Sequence, residues 1–132
     1  MIVDTSAIVR ILLEEPGWLQ LVDVLATEPN PSMSAASLLE VFIVLHGRRL
    51  DDEAEWVFAL LDTFDIEVVP VTLDHIHLGR EAFRRFGKGI HARAKLNYGD
   101  CFSYALAKAT GEPLLFVGDD FTHTDITPAH SV

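Results

Sequence analysis

A chain of 132 residues, 49 % of them apolar, has the size and the apolar content for one domain with a real core, without structural disulfides or metal. Its single cysteine, Cys101, excludes an intrachain disulfide and points to a reducing, cytoplasmic setting; Met1-Ile2-Val3-Asp4 has no leader pattern, and no run reaches the roughly 18 apolar residues of a membrane span. A net charge of −10 argues against nucleic-acid binding over the whole surface, yet six of the ten basic residues crowd into Arg80, Arg84, Arg85, Lys88, Arg93 and Lys95, with His91 among them.

In chain order, Met1–Val3 is short and apolar and predicts a buried strand running into Asp4. Helices are expected over Ser6–Leu13 and Gly17–Ala26, separated by Pro16. A short strand at Pro31–Ser34 leads to a helix over Ser37–Gly47, whose apolar faces are interrupted by one carboxylate, Glu40. Asp51–Phe64 predicts an amphipathic helix with an acidic start, which suits the helix dipole. Ile66–Val71 is a β-branched run and predicts a strand; Leu73–Phe86 predicts a helix. Gly87–Leu96 is a basic, glycine-containing loop, after which Asn97 or Tyr98 opens a helix that reaches Thr110 and is capped by Gly111. Leu114–Val117 predicts a last buried strand, followed by the polar turn Gly118-Asp119-Asp120. Strands alternating with helices, and strands that are apolar throughout, imply an α/β fold with a mostly parallel central sheet covered by helices on both faces.

Four acidic positions stand out in that framework: Asp4, Glu40, Asp100 and Asp119, the last with Asp120 beside it. Each has an ordinary structural use. Asp4 can cap a helix, Ser37 with Glu40 and Asn97 with Asp100 have capping-box spacing, and Asp119-Asp120 can close a turn. Taken together they carry more. Ligands of open parallel sheets gather beyond the carboxyl ends of the strands, and Asp4 and Asp119 both directly follow strands. Carboxylates converging there repel one another unless a cation intervenes. Oxygen-only donors suit Mg²⁺ or Mn²⁺ rather than zinc, and such an ion serves hydrolysis of a phosphodiester. Lys88, His91, Arg93 and Lys95, on the loop leading to Asp100, are placed for the phosphates of a polyanionic substrate.

Val3-Asp4-Thr5-Ser6-Ala7 resembles the opening motif of PIN-domain nucleases, and Ser37-Leu38-Leu39-Glu40-Val41 resembles their second acidic motif. Asn97-Tyr98-Gly99-Asp100-Cys101-Phe102-Ser103-Tyr104-Ala105 is similar to the third motif of a group of VapC toxins, and Pro113–Phe116 with Gly118–Phe121 to its closing motif. The resemblance spans nearly the whole chain. It implies a PIN-like three-layer fold, Mg²⁺- or Mn²⁺-dependent cleavage of RNA, and neutralisation by a VapB-type antitoxin. It carries the metal-site acids onto Asp4, Glu40, Asp100 and Asp119, with Thr5 and Ser6 supplying hydroxyls. Many relatives place the last acid three residues before the closing Phe; here Asp119 and Asp120 stand two and one before Phe121, so both stay open, with Asp119 preferred.

Among the aromatics, Tyr98, Phe102 and Tyr104 are candidates for core or for base stacking. Trp18, Trp56 and the Phe58-Leu60-Leu61 patch are candidates for core, an antitoxin groove or a dimer face, and a homodimer is expected. His75, His77 and His123 are expected at the surface. Two other functions compete with the ribonuclease: a phosphatase or phosphoryl-accepting domain, and a non-catalytic PIN-like binding module. Asp4-Thr5-Ser6 lacks the second Asp of one common phosphatase pattern, and all four acidic positions are filled, which disfavours a dead site.

Overall fold

The computed structural model describes residues 1–130. Four strands form one sheet: β1 (Ile2–Val3), β2 (Ser32–Ser34), β3 (Glu67–Val69) and β4 (Leu114–Leu115), in the order β3-β2-β1-β4 and all parallel. Between and around them run α1 (Thr5–Leu12), α2 (Trp18–Thr27), α3 (Ala35–Gly47), α4 (Ala54–Thr63), α5 (Leu73–Phe86) and α6 (Tyr98–Thr110). The mostly parallel sheet expected from the apolar strands is present. Its strands are shorter than the apolar runs suggest, two or three residues each.

Alternation along each strand builds two cores. Val3, Met33 and Leu115 face one side, where they pack with Ile8, Leu21, Val41 and Val57 from α1 to α4. Ile2 and Leu114 face the other, with Ala82, Phe86, Tyr104 and Leu106 from α5 and α6. β1 and β4 are buried on both faces and are apolar throughout, whereas β2 carries Ser32 and Ser34 and the edge strand β3 leaves Glu67 and Val68 exposed. The result is three layers, with the larger helical layer supplied by the first half of the chain. Among the described residues no helix is long and apolar enough to cross a membrane.

Two local expectations are corrected. The N-cap of α3 is Ser34, whose Oγ accepts from the Ala36 amide at 3.2 Å, so Ser37 and Glu40 form no capping box. The helix starts earlier because β2 ends directly into it, and this puts Ser37 and Glu40 inside the helix with their side chains free for other partners. His75 is buried rather than superficial: its backbone amide donates to Thr72 Oγ1 in the cap of α5. His77 and His123 are exposed as expected. The expected capping box of Asn97 and Asp100 does form on α6, and Gly111 ends that helix with φ of 71°, the left-handed conformation that favours glycine.

The segment after β4 returns to the α5–α6 layer and is fastened there by Asp125. Its carboxylate accepts from Tyr104 Oη at 2.7 Å and pairs with Lys108 at 2.8 Å and Arg85 at 3.3 Å. Partial burial alone would raise the Asp125 pKa, but these hydrogen bonds and the Lys108 and Arg85 charges more than offset it and hold the carboxyl below its ordinary value. Asp125→Ala is expected to lower stability by about 1 kcal/mol, the modest figure suited to a partly exposed, water-screened cluster. Urea unfolding should show the shift at pH 7, and it should shrink as the pH falls far enough to protonate Asp125 in the parent.

Candidate active site

Asp4 follows β1 and caps α1. Its Oδ2 accepts from the Ser6 amide at 3.0 Å and from Ser6 Oγ at 2.6 Å, and its Oδ1 accepts from Ser103 Oγ at 2.5 Å. The capping reading and the site reading of Asp4 therefore coexist in one carboxylate, which is only 3 % exposed. The network spreads outward. Ser103 Oγ lies 3.1 Å from Ser37 Oγ on α3, Thr5 Oγ1 donates to the Ser37 carbonyl at 2.8 Å, and the Val117 amide beyond β4 donates to Ser6 Oγ at 3.0 Å. Three helices and the end of β4 are thus tied to the residue that follows β1.

Asp100 sits on the first turn of α6, where its Oδ2 accepts from the Asn97 amide at 3.0 Å. Its pKa is raised to about 7: burial is the main cause, the Asn97 hydrogen bond works against it, and the charges of Asp4, Asp120 and Glu40 push it further up. Glu40 is also raised, first by burial and then by Asp4, against a lowering contribution from the Thr5 hydroxyl. Glu40 approaches from the middle of α3, its carboxylate lying against the open side of Gly99. A Cβ on Gly99 would collide with both oxygens of the Glu40 carboxylate.

Asp4, Glu40, Asp100 and Asp120 are thus brought into one electrostatic neighbourhood at the carboxyl end of the sheet. Asp119, preferred from the spacing, is not among the charges acting on Asp100. It is exposed and lines a different groove, with Arg10, Gln20 and Val117. Adjacent residues in a turn point to different sides, and here Asp120 takes the inner one, half-buried. Among the described residues no three His, Cys, Asp or Glu side chains stand in a ready-made ligating arrangement. Asp4 has both oxygens engaged by hydroxyls, and mutual repulsion favours separation of the acids. The donor set nonetheless fits a hard divalent cation in its chemistry: carboxylates and hydroxyls, no sulfur in the cluster, and an excess of buried negative charge.

Of the basic strip, Lys88, Arg93 and Lys95 are exposed on the 87–96 loop. Arg84 pairs with Glu81 on its own helix, and Arg85 is engaged by Asp125. His91 builds the loop: its Nδ1 accepts from the amides of Arg93 at 3.0 Å and Ala94 at 2.8 Å, and its ring lies against Phe86. That leaves Nε2 as the ring's only free nitrogen for a phosphate. Ser103 is a site residue that sequence reasoning left without a role. The signal was present, since position 103 lies three residues after Asp100 and so on the same helical face. Cys101, on the neighbouring face, has its thiol pushed up to about 11 by burial and by the Asp100 charge, which makes it a poor nucleophile.

A parallel sheet between two helical layers, with acids after β1, on α3 and α6 and in the turn after β4 at its carboxyl edge, is the arrangement of a PIN domain. The chain belongs to the PIN-domain family, which matches residues 1–126, among its VapC members. It is 47 % identical over 129 residues to "Ribonuclease VapC42" of Mycobacterium tuberculosis (strain H37Rv), covering 98 % of each chain. It is 45 % identical over 130 residues to "Ribonuclease VapC" of Mycolicibacterium smegmatis, covering 98 % of this chain and all of that one. Among solved structures, Mycobacterium tuberculosis VapC20, described as a sarcin–ricin loop cleaving toxin, aligns with a TM-score of 0.76 at 19 % identity, over 96 % of this chain and 95 % of that one. A toxin–antitoxin complex from Klebsiella pneumoniae aligns with a TM-score of 0.69 at 13 % identity, over 99 % and 98 %. At those identities the fold is what is shared.

The raised Asp100 pKa has a consequence for stability. In the unfolded chain the group titrates near 3.8, and in the folded, metal-free chain near 7. Between those values the folded state holds the extra proton, so stability falls as pH rises from about 4 to about 7 and levels off above. Urea unfolding of chelator-treated protein at pH 5 and pH 8 should show this loss, and Asp100→Asn should largely abolish it. An equal loss in the variant would mean that Asp100 is not the strained acid.

Proposed function

We propose that the chain is an endoribonuclease that cleaves RNA as the toxin of a toxin–antitoxin pair. The observation that carries the reading is the meeting of Asp4, Glu40 and Asp120 charges on buried Asp100 at the sheet's carboxyl edge, in a chain whose relatives of equal length are named ribonucleases. Those four acids would hold Mg²⁺ or Mn²⁺, which when bound neutralises their repulsion and supplies a Lewis acid and an activated water for phosphodiester hydrolysis. The chain's own groups do the positioning. Ser6 and Ser103 fix the Asp4 carboxylate, the Asn97 amide fixes Asp100, and Gly99 leaves room for Glu40. Asp100 must shed its proton to serve as a ligand, so activity rises with pH toward neutrality. Lys88, Arg93 and Lys95 attract the RNA backbone to a protein that otherwise repels it.

The partner in this reading is a VapB-type antitoxin that lays an apolar segment on the toxin and sets an Arg or Lys against the acids. Exposed Trp56 and Phe58 on α4 offer apolar surface for such a segment or for a second copy in a homodimer.

Asp4→Asn and Asp100→Asn are expected to stay folded and to lose cleavage of total RNA, by more than the roughly 10- to 100-fold that loss of a merely supporting group costs. Asp120→Asn should fall with them, whereas Asp119→Asn should keep near-parental activity. Parental cleavage by Asp4→Asn and Asp100→Asn would remove the site, and the reverse order of Asp119 and Asp120 would restore Asp119 as the fourth acid.

The loop has its own test. In an Asp100→Asn background, replacing Lys88, Arg93 and Lys95 with Ala should weaken RNA binding and lower the salt slope by about 2. An unchanged affinity and slope in the triple variant would reduce the loop to a solvated face.

A further inference from the structure

Asp4 is held by more hydroxyls than a helix cap needs. Its Oδ2 accepts from the Ser6 amide, the ordinary cap bond, and also from Ser6 Oγ at 2.6 Å. Its Oδ1 accepts from Ser103 Oγ at 2.5 Å, and Ser103 Oγ lies 3.1 Å from Ser37 Oγ. All three residues are buried, Ser37 and Ser103 almost completely, so bulk solvent does not compete for these contacts. Ser37 comes from α3 in one helical layer and Ser103 from α6 in the other, and their hydroxyls meet behind the acid that follows β1.

A hydroxyl has one hydrogen, and that fixes the direction of each bond in this chain. The Asp4 carboxylate only accepts, so the Ser103 hydrogen points at Oδ1. Ser37 must then donate to Ser103, and not the reverse. Ser6 Oγ accepts from the Val117 amide at 3.0 Å and keeps its own hydrogen for Oδ2. Three of the roughly four acceptor positions of the carboxylate are thereby filled, both on Oδ2 and the first on Oδ1. The open position is on Oδ1, the oxygen turned toward α6, which also carries Asp100.

We propose that Ser37 and Ser103 are positioning residues that limit Asp4 to a single-oxygen contact with the divalent ion and thereby set the site's preference for Mg²⁺ over Ca²⁺. The proposal rests on the metal-dependent ribonuclease reading and adds ion selectivity to it. Mg²⁺ is small, demands near-octahedral geometry and keeps several of its waters, whereas Ca²⁺ takes more ligands and readily accepts both oxygens of one carboxylate. A carboxylate with Oδ2 saturated and one position left on Oδ1 suits the first ion and not the second. Without the Ser103 hydroxyl, both positions on Oδ1 are open and the group is anchored at Oδ2 alone, so it can turn toward a larger ion. Ser37 acts at one remove. Its hydroxyl meets Ser103 and not Asp4, and its own place is fixed by Thr5 Oγ1, which donates to the Ser37 carbonyl at 2.8 Å.

The test uses the full chain, stripped of metal and without RNA. Free Mn²⁺ is counted by electron paramagnetic resonance, and Mg²⁺ and Ca²⁺ affinities are read from the displacement of bound Mn²⁺. Ser103→Ala should weaken Mg²⁺ binding by about 10- to 100-fold and Ca²⁺ binding much less, so that the ratio of the two affinities falls about tenfold or more. Ser37→Ala should move the ratio the same way by less. The double variant should match Ser103→Ala, because the two hydroxyls act in series. A merely structural loss would weaken both ions alike. An unchanged ratio in folded Ser103→Ala therefore overturns the proposal and leaves the ribonuclease reading standing. If circular dichroism shows that Ser103→Ala does not fold, Ser37→Ala decides. It leaves every direct contact of Asp4 in place, and an unchanged ratio there overturns the proposal. A further fall in the double variant would mean that Ser37 acts by another route, which sinks its assignment. If the parent binds no divalent ion and cuts no RNA, the ribonuclease reading fails and takes the proposal with it.

Discussion

The buried Asp4 carboxylate depends on hydroxyls from two helices, Ser6 on α1 and Ser103 on α6, and the geometry of the sheet's carboxyl edge is organised around that contact. A carboxylate this deep is costly unless each oxygen is hydrogen-bonded. Satisfying it requires α1 to begin immediately after β1 and α6 to cross the sheet with its first turn at the same edge. Ser37 extends the requirement to α3, since its Oγ lies beside Ser103 Oγ and its carbonyl accepts from Thr5. Asp4, the acid that follows β1, is thus tied to helices of both layers.

Concentrating acids in that edge opposes folding. The chain accepts the conflict at Asp100, where burial and three neighbouring carboxylates hold the proton on to about pH 7. Sites that keep groups in an unfavourable charge state are common where a ligand relieves the strain. Under the proposed function that relief would come from positive charge: a divalent ion among the acids, or a basic side chain from a partner. The same electrostatics explains the uneven surface. Lys88, Arg93 and Lys95 stand exposed on the 87–96 loop that leads to α6, while Arg85 and Lys108 are engaged in holding the chain after β4 through Asp125.

A small residue leaves room for one of these groups. The Glu40 carboxylate lies where a Cβ on Gly99 would be, one residue before Asp100. One helix, α6, presents an acid to the crevice, a hydroxyl to Asp4 and an aromatic ring to solvent within its first two turns. Its period of 3.6 residues separates these three directions.

Much of this was legible in the amino-acid order. The apolar runs at Met1–Val3 and Leu114–Val117 implied strands covered on both faces, the caps at Asn97 and Gly111 fixed α6 to within a residue, the acids directly after strands singled out Asp4 and Asp119, and the acid at a helix start singled out Asp100. Those features depend on local chemistry, on period and on chain neighbours, which a sequence states directly. Other features were decided only by the tertiary structure. Ser34 rather than Ser37 caps α3, because β2 runs straight into that helix. Asp120 rather than Asp119 faces Asp100, because the turn after β4 sets which of two adjacent side chains points inward. Ser103 and Gly99 acquire their roles from Asp4 and Glu40, which lie 99 and 59 residues earlier in the chain. A contact between residues so far apart is set by how the layers pack, and no local pattern encodes it.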